Sequence, residues 1–310
     1  MLRNFFSWSR KIYFIALLLG FGLLSLQGEG SRELKAEMRI EVPIEESLHQ
    51  NSANPFLPIT GEAPKVVRPV NWQVARALAL QQFQARSFEV QITGQENADL
   101  EQDCKVLVER TLAALPEIVS APLIRLKLSL DPLQPRGLAS SKTITLGCAG
   151  LAEAELVAVL VHELGHILDL GGLVGNSLEV SEFHDGGIVF REDDESLDFY
   201  RLSWQTEKKR HFRSSRQDFV SGYAMKDAFE DFAESFTFYV LHGADFRFLA
   251  QESTILEQKY AFLRERIFDG QEFSSLQLAE AGSRVWDTTL IAFDQAEFFK
   301  RAQQLLASND

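Results

Sequence analysis

Cysteine is scarce: the 310 residues contain two, Cys104 and Cys148. Two leave one choice, a single bridge in an oxidising compartment or a pair of buried thiols. There is no long basic run to offset a formal net charge of -13, so nucleic acid is excluded as a partner. The basic stretch Lys208-Lys-Arg-His-Phe-Arg213 follows shortly after the acidic Glu192-Asp-Asp-Glu195, and the two read as solvated loop segments of opposite sign. Internal repeats and low-complexity segments are also lacking. What remains, 45% hydrophobic and 24% charged, suits a globular chain with one large domain or two small ones.

The apolar run near the start spans Ile12 to Leu26 and carries no charge, with Arg3, Arg10 and Lys11 before it. A positive flank and an apolar run form the layout of a secretory signal. The run is short for a spanning helix, which needs about 20 residues. It is followed by neither an A-x-A cleavage site nor a cysteine that could take a lipid. Residues 1–30 are therefore expected to direct export, either as a cleaved signal or as a membrane anchor through residues 12–26. The product would be periplasmic, membrane-anchored or secreted. Residues 31–70, with Pro43, Pro55, Pro58, Pro64 and Pro69 and no sustained period, read as a linker.

From residue 71 the chain has a folded pattern. A short helix is expected through Trp72, Ala75, Leu78 and Ala79. Phe88, Val90 and Ile92 alternate as a strand. Asn97 or Asp99 caps a helix carrying Leu100, Cys104, Leu107, Val108 and Leu115. Ile124, Leu126, Leu128 and Leu130 alternate with polar residues as a second strand, Pro132 to Gly137 turn, and Lys142 to Leu146 form a third. Helix, strands and a following apolar helix make an α+β domain with a small mixed sheet beside a buried helix. Residues 173 to 220 look irregular, apart from a short helix around Leu197 to Trp204. Asp227 with Glu230 reads as a helix cap and its box partner, and that helix is expected to stop at Gly243. A further helix spans Ile255 to Phe268. Residues 271–310, with Trp286, Phe293, Phe298 and Phe299, form a tail expected to be helical and packed on the domain of residues 71–270.

The chemistry is concentrated in His162-Glu163-Leu164-Gly165-His166. Residues four apart share one helix face, so both imidazoles can address one ion. Glu163 sits beside that face, within reach of a water. Leu156, Val157, Val159, Leu160, Val161, Leu164, Ile167 and Leu168 surround the motif on all sides and predict burial. Buried imidazoles and a carboxylate need partners, and a metal is the simplest common one. Two imidazoles suit zinc, one ion per chain. Catalytic zinc takes three protein ligands. A third histidine six residues after the second is ruled out, because Asp169 and Gly172 stand in those positions. A glutamate from a second helix is the other common route. The candidates are Glu230 and Glu234, one turn apart among Phe229, Phe232, Phe236 and Phe238. One face could put Glu230 on the metal and Glu234 behind a histidine ring. His184, His211 and His242 are weaker alternatives.

The pair His162-Glu-Leu-Gly-His166 and Tyr223-(six residues)-Glu230-Asp-Phe-Ala-Glu234 resembles the catalytic domain of anthrax lethal factor and the related Pro-Pro endopeptidases, zinc peptidases of the gluzincin type. The likeness covers roughly residues 98–268. It implies a zincin-like fold, Glu230 as third ligand, and Tyr223 facing the substrate oxyanion. The insert between Asp169 and Tyr223 is longer and more charged than the family's, and no toxin-type delivery region is evident, so substrate choice does not carry over.

These observations lead to an expected exported zinc metallopeptidase acting on a peptide or protein, with Glu163 as general base. Lys142 to Leu146 would be the strand that pairs with an extended substrate. No G-x-M-E-N motif that would hold a free terminus is present, which favours an endopeptidase. The alternatives are a non-catalytic zinc-stabilised binding or scaffold domain at the cell envelope, and a zinc hydrolase acting on a non-peptide bond. A scaffold has no need of a proton acceptor at Glu163.

Overall fold

A computed structural model describes residues 72–273 and 284–300. The expected signal or anchor, the linker at 31–70 and the end of the tail lie outside the described residues. No helix among the described residues is long and apolar enough to cross a membrane.

The domain is mixed α+β. Helix α1 (Trp72–Ala85) leads into strand β1 (Glu89–Thr93), then α2 (Ala98–Ala113), whose first turn is closed by Asn97 accepting from the Leu100 amide. A short α3 (Glu117–Ser120) follows. The sheet then continues through β2 (Arg125–Ser129), β3 (Gly137–Ala139) and β4 (Thr143–Gly147). Strand order is β1-β2-β4-β3, with β3 antiparallel at one edge and the other neighbours parallel. Register places Leu126 beside Ile144 and Leu128 beside Leu146, and all four are fully buried. Alternate positions Arg125 and Lys127 stay half-buried, as the period of two requires.

Strand β4 lies inside the sheet, bonded on both sides, so it has no edge to offer a substrate. The turn expected between Pro132 and Gly137 ends in the missed edge strand β3. Cys148, just past β4, is bridged to Cys104 on α2 with Cα atoms 5.8 Å apart.

Helix α4 (Glu153–Ile167) carries the histidine motif and is buried along nearly its whole length. A single π-turn (Leu168–Gly172) ends it. Residues 173–220 are more ordered than the sequence suggests. They hold a hairpin of β5 (Val180–Asp185) and β6 (Ile188–Arg191), helix α5 (Ser196–Ser203), and a short pair, β7 (Trp204–Thr206) and β8 (Lys209–Arg210). Helix α6 (Ala228–Ala250) packs against α4, and α7 (Thr254–Phe262) packs on α6. A Cβ at Gly165 would lie 3.1 Å from Ala233 Cα and 3.2 Å from Phe236. Glycine in the middle of the motif therefore lets α4 and α6 close together, which brings His162 and His166 within reach of Glu230 and Glu234.

Helix α6 does not stop at Gly243. It bends at His242, where φ is -136° and ψ 35°, and continues because Phe246 and Leu249 still have core to bury. The tail also departs from expectation. Residues 284–294 run as an extended strap with one turn at Thr288–Leu290, and helix begins only at 295.

His242 is buried at the bend, 5.3 Å from the Phe238 ring. Burial pushes its pKa down from 6.5 to about 3. Between those values the unfolded chain binds a proton that the native ring refuses, so stability falls as pH drops from about 6.5 toward 3. Comparing urea midpoints at pH 7 and pH 5, the wild type should lose more than His242→Phe. Equal losses would show that the ring does not titrate this way.

Candidate metal centre

The cap of α6 sets the site. Asp227 Oδ1 accepts from the Glu230 amide at 2.9 Å, which fixes Glu230 in the first turn facing α4. Glu230 Oε2 then lies 3.3 Å from Nε2 of His162 and 3.3 Å from Nε2 of His166. The ligand atoms of all three residues fall within 4.8 Å of one another. The group is largely buried and could hold a metal ion. His184 on the β5–β6 hairpin, His211 and His242 take no part in it; His211 Nε2 instead lies 3.0 Å from the Arg201 carbonyl oxygen.

Charges in the group lean on one another. Burial disfavours the charged form of His162, but Glu230 and Glu234 outweigh it and hold the ring well above its usual pKa. At His166 burial also opposes the charge, and Glu230 raises the pKa. Burial would raise Glu230, yet the two histidines hold its carboxyl far below the usual carboxylate range. Glu230 Oε2 is buried and makes no hydrogen bond of acceptable geometry, although it sits equidistant from two ring nitrogens. Two imidazole nitrogens and one carboxylate oxygen converging on a buried point match the donor set of a three-ligand zinc site.

Glu234, one turn further along α6, is fully buried. Its Oε1 lies 3.1 Å from His162 Nδ1. Its Oε2 accepts from Ser221 Oγ at 2.5 Å and from the Thr288 amide at 3.0 Å. A carboxylate behind Nδ1 fixes the ring so that Nε2 faces Glu230. Tyr223, in a one-turn helix (Tyr223–Met225), donates to Glu230 Oε1 at 3.1 Å. Burial and the Glu230 charge push the phenol up to about 12, so it stays protonated.

A cleft of about 330 Å³ opens beside these groups, lined by His162, Glu163, Tyr223, Arg136, Gly137 and Trp286 among others. A Cβ at Gly137 would run into the Glu163 carboxylate and Val159, so a glycine on the edge strand makes room for that carboxylate. The strap lines the cleft as well, through Trp286, Asp287 and Thr289. The Gly222 amide donates to the Val285 carbonyl at 2.8 Å, and the Tyr223 amide to the Trp286 carbonyl at 2.6 Å. Arg136 Nη2 donates to Asp287 Oδ2 at 2.7 Å, and Nη1 to Glu155 and Thr289 at 3.0 Å each.

Behind Glu230, Asp231 faces away from the cleft. Its Oδ2 takes Lys259 Nζ at 2.7 Å and Trp204 Nε1 at 2.8 Å, and Lys259 also donates to the Asp218 carbonyl at 2.8 Å. Lys259 and Asp231 are both fully buried. Asp169, at the end of α4, is buried beneath Tyr200, whose hydroxyl lies 2.6 Å from either carboxylate oxygen. Burial pushes Asp169 up to about 7.

The structure thus brings together His162, Glu163, His166, Tyr223, Glu230 and Glu234. Sequence reasoning missed Arg136, Ser221, Lys226 and the strap, because none stands in a motif or a period. No protein-family model, curated protein or solved structure matches the chain.

Proposed function

We propose that the chain is an exported zinc metallopeptidase with a zincin-like fold, of the gluzincin kind it resembles, cleaving within a peptide or protein. The observation that carries this reading is the convergence of His162 Nε2, His166 Nε2 and Glu230 Oε2 beside a cleft that Glu163 and Tyr223 line. Zinc bound there would polarise the scissile carbonyl and acidify a water toward a pKa of about 7.

Glu163 takes the proton of the attacking water on its carboxylate and passes it to the leaving amine nitrogen. The Tyr223 phenol, kept protonated, donates to the oxygen on which negative charge develops. Glu234 holds the His162 ring through Nδ1. Strand β3, the edge of the sheet and part of the cleft wall at Gly137, offers its unpaired side to an extended substrate. A non-catalytic zinc scaffold accounts for three ligands but leaves Glu163 at the cleft without a purpose. Export is supported by the charged flank and apolar run before residue 27.

The purified chain is expected to carry about one zinc and to cleave members of a peptide library. A chelator should stop cleavage, and added zinc should restore it. A folded preparation, never exposed to chelator, that contains no zinc would overturn the reading.

A further inference from the structure

One cation in the metal centre has no part in the chemistry above. Lys226 Nζ donates to Glu230 Oε1 at 2.9 Å and to the Tyr223 hydroxyl at 3.0 Å. Tyr223 gives its own proton to the same Glu230 Oε1 at 3.1 Å. Ammonium, hydroxyl and one carboxylate oxygen thus close a triangle, while the other oxygen faces the two histidines. A surface ion pair four residues apart on a helix needs only two members and two exposed side chains. Here the lysine is 48% exposed but the carboxylate only 14%, and the ammonium also lies 4.7 Å from the centre of the Tyr223 ring.

A phenol has one proton. While Tyr223 spends it on Glu230, none is left for a substrate. When the hydroxyl turns to a substrate, Glu230 Oε1 loses a donor in a part-buried place, which carries a cost. A second donor already in position removes that cost.

We propose that Lys226 is a positioning residue: it holds Glu230 Oε1 so that Glu230 addresses the metal position through Oε2 alone, and it keeps Oε1 satisfied when the Tyr223 hydroxyl turns to the substrate oxyanion. The assignment rests on the peptidase reading of this site. Its consequence has an unusual sign. A cation beside a ligand carboxylate opposes the binding of a second cation, so removing it strengthens metal binding while it slows the chemistry. Loss of a purely structural contact weakens both.

The test uses the full chain as wild type, Lys226→Met and Lys226→Arg. Zinc affinity is measured by competition with a chromophoric chelator, and kcat and KM on a peptide found by library screening. Removing the repulsion between two cations, Lys226→Met is expected to bind zinc on the order of tenfold more tightly, and to lose on the order of 10- to 100-fold in kcat with KM little changed. Lys226→Arg, still cationic, should hold zinc as the wild type does and restore part of the lost turnover. Melting temperatures should agree across the three. Unchanged or weaker zinc binding in Lys226→Met overturns the proposal, as does an unchanged kcat. A wild type that cleaves no peptide sinks the peptidase reading instead. The zinc arm then decides alone: tighter binding in Lys226→Met upholds the hold on Glu230, and any other result ends it.

Discussion

Glu163→Gln is expected to keep its zinc and its melting temperature while turnover falls roughly 100- to 10,000-fold. The amide has nearly the shape of the carboxylate and fits the same place against Gly137, where any Cβ would collide with it. What it loses is the capacity to accept a proton. Glu230→Ala should differ in kind. Glu230 is the group on which both Nε2 atoms converge at 3.3 Å, so its loss should remove zinc and turnover together. Tyr223→Phe should retain zinc and slow turnover by on the order of a hundredfold, as the loss of an oxyanion donor does. Zinc content measured beside kcat for the three variants separates the roles. Near-wild-type cleavage by Glu163→Gln would remove it as the general base, and full zinc in Glu230→Ala would place the third ligand elsewhere.

Lys259→Met should cost about 3–5 kcal/mol of stability, because it leaves the Asp231 carboxylate buried and charged without its cation. Both partners are fully buried, and the bond between them is 2.7 Å long. Lys259 also holds the Asp218 carbonyl, at the start of the loop that carries Ser221 and Tyr223. In urea the midpoint should fall accordingly, with a melting temperature lower by roughly 10 °C. Lys259→Met combined with Asp231→Asn should recover part of the loss, since the amide removes the stranded charge and still offers Trp204 an acceptor. A loss under about 1 kcal/mol in the single variant would put the pair in the class of exposed ion pairs and contradict its burial.

The parts of this molecule that were legible in the sequence share a short-range cause. Leu126 and Leu128 alternate with Arg125 and Lys127, and the structure places them in β2. The helical spacing of His162 and His166, and the cap at Asp227, locate both helices that carry the metal group. Strand β3 was hidden because its three residues acquire strand geometry from β4, not from any pattern of their own. Gly243 predicts a stop, but burial of Phe246 and Leu249 outweighs its weak helix preference, and the helix bends at His242 instead. Lys226 stands in no motif or period; its place depends on where Tyr223 and Glu230 meet.

The strap reaches the centre from far along the chain. Glu234 receives the Thr288 amide 54 positions downstream, and Arg136 reaches Asp287 across 151. In chain order the histidines come first, then Glu230 and Glu234, and only after them the segment that satisfies Glu234 and lines the cleft. A chain cut between α7 and the strap therefore keeps His162, His166, Glu230 and Glu234 but loses the Thr288 amide that Glu234 accepts from and the cleft lining at Trp286 and Asp287.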